Sequence, residues 1–320
     1  MCRQFNSAWD HLKSLMKIRL FLFSASQVKH FVKDSFVCVC YNDPMKKMVM
    51  IGSVVMQMDQ YVKTLPQADQ DIEVLRTETS IIGSACAFLK LYEKLSFPYV
   101  LLSTVGTGMY AEPVREYLAE REFIESEAVE GAVMTLHDAR GSSSSFLLDG
   151  AQFEFHYHDA QILDPEDTAG LVIGADILAF SSDDVLDTVQ DLEKPVWFFF
   201  DGLAQPSSDQ LEELLEMKPT VICSQAELAE YDLDAQTVYD YTGKPVIVLN
   251  DGEGAYCFEG GDSYIASCEH AMEPGMFTAA YAAAVSAGVD GRNALVFAVE
   301  ACGDGQESLK KRLAGMILHR

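Results

Sequence analysis

From residue 99 onward, short apolar runs take turns with segments of helical period, and this alternation constrains the chain more than any other feature. A run of four to eight apolar residues suits a strand covered on both faces. Residues 99–105, 171–180, 195–200, 220–223 and 246–249 read this way. Helical stretches stand between them, one opened by Ser207 and Gln210 in capping-box spacing. Such alternation builds a mostly parallel sheet with helices on both faces, and ligands sit at its carboxyl ends. Upstream, 48–55 reads as a first buried strand, and 84–95 and 110–121 as helices. The alternating segment 72–82 reads as a half-buried strand. Residues 133–136, 144–148 and 153–157 read as short strands. These break the α/β pattern and predict a small antiparallel lid, with strands within 70–82 and 130–158. A hairpin over 255–258 and 263–266 and helices near 278–288, 292–302 and 307–318 complete an α/β domain from Met45 to Arg320.

Charge narrows the partners. The chain carries a net charge of −26, which offers no basic stripe for nucleic acid and no attraction to an anionic membrane. Its 49% hydrophobic content supports a large core. No apolar run reaches the ~18 residues of a membrane span, so a cytoplasmic location is expected. The eight cysteines show no C-x-x-C pair and read as free thiols in a reducing compartment. Residues 1–44 differ from the rest, holding six of the 23 Lys and Arg but only three of the 49 acids. They read as a non-native extension upstream of a start at Met45, with a basic targeting arm as the alternative.

Near the C-terminus, Pro274-Gly275 interrupts the chain before an Ala-rich helix. The start of such a helix presents free backbone N–H groups to an anion.

Several short motifs follow one another along the chain. Gly52-Ser53 ends the first strand, with Gln57 and Asp59 just beyond. Ile82-Gly83-Ser84-Ala85-Cys86-Ala87 comes next, then Thr104-Val105-Gly106-Thr107-Gly108. Ser224-Gln225-Ala226-Glu227, Asn250-Asp251-Gly252-Glu253-Gly254 and Gly275-Met276-Phe277-Thr278 complete the series. In order and spacing, over residues 48–305, these resemble the ribokinase-like (PfkB) carbohydrate kinases. The resemblance implies ATP-dependent phosphoryl transfer to a sugar or nucleoside hydroxyl, with Mg²⁺, a β-lid over the sugar and a homodimer. It places substrate contacts at Gln57, Asp59, Gly83 and Ala87. Nucleotide contacts fall at Ser224, Glu227, Asn250, Gly252 and Gly254, with Glu227 organising Mg²⁺ through water. Gly275 and Phe277 take the anion-hole positions, and Thr278 the position of the catalytic base.

The departures from that pattern carry as much information. Gln57 replaces a sugar-binding Asp, Ala87 an Asn, and Ile82 a Gly. A Thr at position 278 cannot accept the sugar proton as a carboxylate does, and loss of a general base costs ~10²–10⁴ in rate. The expectation is a sugar-kinase homologue whose catalysis is lost or weak. The alternatives are a small-molecule-binding protein, a scaffold, or a working kinase with Asp59, Asp251 or Glu273 as a displaced base. Structural readings stand beside the functional ones. Ser224-x-x-Glu227 is also a capping box, and Asn250–Gly254 also a simple turn. The pattern from Gly106 to Ala111 also fits a dinucleotide loop, and His156, His158 and Asp159 could line one face of a strand as metal ligands.

Overall fold

The computed structural model describes residues 46–303 and 309–318. The extension expected over 1–44 lies outside them. The compact unit Met45–Arg320 is built on an eight-stranded sheet. Its strands are β1 (Lys47–Ile51), β4 (Tyr99–Leu102), β9 (Thr168–Gly174), β10 (Val196–Phe199), β11 (Thr220–Cys223), β12 (Val246–Asn250), β13 (Gly254–Glu259) and β14 (Asp262–Ser267). They lie in the order β14-β13-β12-β11-β10-β9-β1-β4. Every pairing from β4 to β12 is parallel, and among these strands β13 alone runs against the rest, antiparallel to both β12 and β14.

The centres of the parallel strands are apolar on both faces because each face meets helices. Met48 and Met50 join one core with Val172, Trp197 and Ile222, while Val49 and Ile51 join the other with Leu171, Ile173 and Phe198. Successive residues thus feed opposite faces, as the pleat requires. The first core packs helices α1 (Ser84–Leu95), α7 (Pro274–Ser286) and α8 (Gly291–Cys302). The second packs α3 (Ala175–Leu192), α4 (Ser208–Glu216) and α6 (Ala235–Thr242). Helices α2 (Ala111–Tyr117), α5 (Gln225–Glu230) and α9 (Leu309–Leu318) complete the set. None of the described helices is long and apolar enough to cross a membrane.

A four-stranded lid stands apart, in the order β3 (Val74–Ile82), β2 (Val55–Val62), β7 (Ala132–Asp138) and β8 (Ser143–Leu148). It is mixed rather than antiparallel, since β2 and β7 run parallel. A two-stranded ribbon of β5 (Thr104–Thr107) and β6 (Ile124–Val129) lies beside it.

Other sequence expectations change as well. The run 48–55 is a strand only to Ile51, and its end belongs to the lid strand β2. The segment 72–82 is not half-buried, because seven of the nine positions of β3 are exposed. The run 171–180 divides into strand β9 and the first turns of α3, whose buried side is apolar enough to extend the strand signal. Residues 153–157 form no strand. Short 3₁₀ turns at Ala151–Phe153 and Tyr157–Ile162 replace it, held by Ser181, whose Oγ donates to the Phe153 carbonyl (3.0 Å) and accepts from the Phe155 amide (3.2 Å).

Candidate functional site

At the carboxyl ends of β1, β9 and β10 the chain gathers a buried polar cluster. Asp176, in the first turn of α3, is fully buried. It accepts hydrogen bonds from Ser53 Oγ, from Ser84 Oγ (2.8 Å) and from the Ile177 amide (2.8 Å). Ser84 Oγ also accepts from the Ser53 amide at 3.0 Å. From the end of β10, Asp201 accepts from the Asp176 amide (3.2 Å) and the Leu203 amide (2.9 Å). Burial, and then the neighbouring Asp176, push the Asp201 carboxyl well above the ordinary carboxylate value. Gly83 has φ 122, and a Cβ there would strike the Ser53 carbonyl. The glycine is therefore what lets α1 start against the end of β1. The sequence signal was present but thin: Ser53, Asp176 and Asp201 each follow an apolar strand by one or two residues.

The N-terminus of α7 lies against the same cluster. Its N-cap is Glu273, whose Oε2 accepts from the Met276 amide at 3.2 Å, with Pro274 in the first turn. The helix thus begins at Pro274, not after Gly275. Its open amides are those of the first turn, and one of them already holds a carboxylate of the chain itself. Although the outer surface of Glu273 is open, the protein packed around it pushes its carboxyl up, against pulls from the Met276 amide and Lys90. Gly275 sits against α1, where a Cβ would stand 3.3 Å from both Ala87 Cβ and the Ser84 carbonyl. Gly83, Ala87 and Gly275 are therefore neighbours, but helix packs on helix where a sugar was expected.

Phe277 and Thr278 belong to the packed interior. The Phe277 amide is already in the helix ladder, donating to the Glu273 carbonyl (3.0 Å). Its ring is fully buried and stacked with Tyr281 at 6.4 Å. Thr278 is fully buried too, and its Oγ1 donates to the Pro274 carbonyl at 2.8 Å. The helix starts upstream of the register read from sequence, so Phe277 and Thr278 fall beyond its open first turn, while Gly275 stays within it.

The remaining expected residues serve their own elements. Gln57 and Asp59 do share one face of β2, with Gln57 Nε2 donating to Asp59 Oδ1 (2.8 Å), and His137 Nε2 bonds the same oxygen at 2.8 Å. Burial raises the Asp59 carboxyl, but those two hydrogen bonds prevail and hold it below the ordinary value. Ser224 and Glu227 form a complete capping box on α5, the Ser224 amide reaching Glu227 Oε2 at 2.6 Å and the Glu227 amide reaching Ser224 Oγ at 3.2 Å. Asn250 to Gly254 make a tight turn between β12 and β13. Gly252 projects into open space, and Gly254 (φ 130) lets the Ala266 carbonyl approach. Asp251 Oδ1 accepts from the Met272 amide (3.2 Å), which ties this turn to the approach of α7.

Of the Glu227 carboxylate, Oε2 closes the cap on α5. Among the described residues no three His, Cys, Asp or Glu gather into a metal-binding group. His156 caps a 3₁₀ turn and stacks on His158 at 5.5 Å, and Asp159 bonds the His156 amide, so no metal-binding strand forms there. The dinucleotide-like loop is closed as well, since the Gly106 amide donates to Glu130.

Comparison with solved structures gives the fold an independent reference. Ribokinase from Thermotoga maritima superposes with a TM-score of 0.68 at 12% identity, covering 86% of this chain and 100% of that one. Ribokinase from Arabidopsis thaliana, solved with ribose and ATP, gives 0.65 at 16%, covering 85% and 98%. The nucleoside kinase of Methanocaldococcus jannaschii gives 0.62 at 18%, covering 85% and 99%. No family model matches the sequence, and no curated protein does. The chain therefore has the ribokinase-like fold at identities where the fold alone is common ground.

Proposed function

We propose that this chain is a homologue of the ribokinase-type sugar and nucleoside kinases that has kept the architecture and lost phosphoryl transfer. One observation carries the proposal: the helix terminus that would receive a transferring phosphoryl group is capped by the chain's own Glu273. Phosphoryl transfer rests on positioning and on donors aimed at developing negative charge. Here a donor is already satisfied by a fixed carboxylate, which also repels a second anion. The contact of Ala87 with Gly275 and the closed cap at Ser224–Glu227 support the same reading. We also propose a homodimer through the lid, supported by Leu75, Phe146 and Leu148 exposed on β3 and β8.

The test is calorimetric titration with ATP and Mg²⁺, followed by a phosphoryl-transfer assay over sugars and nucleosides. The expected outcome is no transfer. Glu273→Ala is expected to bind inorganic phosphate more tightly than the wild-type protein, because it frees the α7 amides. Transfer by the wild-type protein would overturn the proposal. If Glu273→Gln then abolished it, Glu273 would be a displaced base, a second reading favoured by its raised carboxyl at the helix start.

A further inference from the structure

At the opposite edge of the sheet, three consecutive helix-to-strand junctions repeat one dipeptide. Lys194-Pro195 precedes β10, Lys218-Pro219 precedes β11 and Lys244-Pro245 precedes β12. The prolines suit strand heads, where no ladder N–H is required. Pro195 and Pro245 still give their carbonyls to the Leu171 and Val221 amides, at 2.9 and 3.2 Å. Because β10, β11 and β12 are adjacent, and the pairings of Trp197 with Thr220 and of Val221 with Val246 bring each lysine within one position of the next in register, the lysines stand at the heads of neighbouring strands.

All three line one groove of about 780 Å³, with Trp197 and Thr220 among its other walls. Among the described residues none of the three ammonium groups is in an ion pair, whereas Lys47, at the head of β1, is matched by Asp167 at 3.0 Å. Lysines elsewhere, such as Lys63 and Lys90, also lack an ion pair among the described residues, so what sets these three apart is that one groove gathers them. Glu193 and Glu259 also border the groove, but Glu259 is engaged by the Tyr264 hydroxyl (2.6 Å) and the lysines outnumber the pair.

We propose that this groove is a ligand site, separate from the carboxyl edge, that takes an oligophosphate through Lys194, Lys218 and Lys244. A row of cations selects a ligand with several negative charges along its length over a single carboxylate. A competing role is to neutralise the carbonyl ends of α3, α4 and α6, none of which has a basic residue in its last turn. That role predicts a loss of helix stability, and the ligand role predicts a loss of binding at unchanged stability.

The experiment titrates the full chain calorimetrically with inorganic tripolyphosphate and with GTP, at low and high salt, alongside thermal melts. Binding that weakens with salt is expected, with each Lys→Gln change weakening it on the order of three- to tenfold. The triple variant K194Q/K218Q/K244Q should not bind, yet should melt with the wild-type protein, and Lys47→Gln should change nothing. Equal binding of the two probes means that the groove reads charge alone, and tighter GTP binding that it also holds the nucleoside. The proposal fails if neither probe binds, if the triple variant binds as the wild-type protein does, or if that variant only melts lower.

Discussion

The two edges of the central sheet differ in what they do with polar groups. At the carboxyl edge, polar side chains answer one another: Asp176 is held by two serines, Glu273 by a helix amide, and Thr278 by a carbonyl. At the amino edge, three lysines stand without a carboxylate partner among the described residues. On α/β sheets the carboxyl edge is the usual ligand side. Here the cluster around Asp176 is self-satisfied, and the fold's capacity to bind has to be judged from what each edge leaves open. A closed polar network adds rigidity, and an open one leaves a demand for a partner.

Breaking the closed network should have the largest effect. Asp176→Ala leaves Ser53, Ser84 and the Ile177 amide facing a void, and is expected to cost roughly 3–5 kcal/mol in urea unfolding. Thr278→Asp, the change that would restore a carboxylate in the expected base position, should destabilise the chain rather than create activity, since position 278 is fully buried.

A smaller effect comes through pH. Burial lifts the Glu130 carboxyl to about 7, against the pull of the Gly106 amide, and its second oxygen has no partner among the described residues. A folded-state value above the unfolded one gives stability that is complete below about 4.5 and is lost as pH rises through about 7. Glu130→Gln should flatten that slope, which stability curves taken across this window will detect. An unchanged slope would remove Glu130 from the account. Smallest of all, Ser224→Ala should cost about 1 kcal/mol by opening the α5 cap. It should leave anion binding at the amino edge untouched, which sharpens the separation of the two edges.

Much of the fold was legible because its signals are local. The apolar runs of β10, β11 and β12 and the capping boxes at Ser207 and Ser224 each lie within a few residues. The boundary between β9 and α3 was hidden, because Ala175, Ile177 and Leu178 are as buried as the strand before them. The site was harder to read for a different reason. Ser53, Ser84 and Asp176 meet across 31 and 92 positions, and no spacing rule joins them. Phe277 falls at an anion-hole position only when the motif is counted from Gly275. The capping carboxylate of Glu273 moves the helix start upstream and turns that ring into the core.

The placement of β1 also has a consequence for how the molecule assembles. Met48 pairs with Gly170, 122 positions later, and the whole lid is threaded between them. Contacts of such long range are slow to form, because the intervening chain must surrender its freedom before the pairing repays it. Closing the seam between β1 and β9 therefore weighs on the folding rate. Chains caught before it closes carry lid strands with no sheet to anchor them, and those strands are the surfaces through which a stalled chain would meet its neighbours.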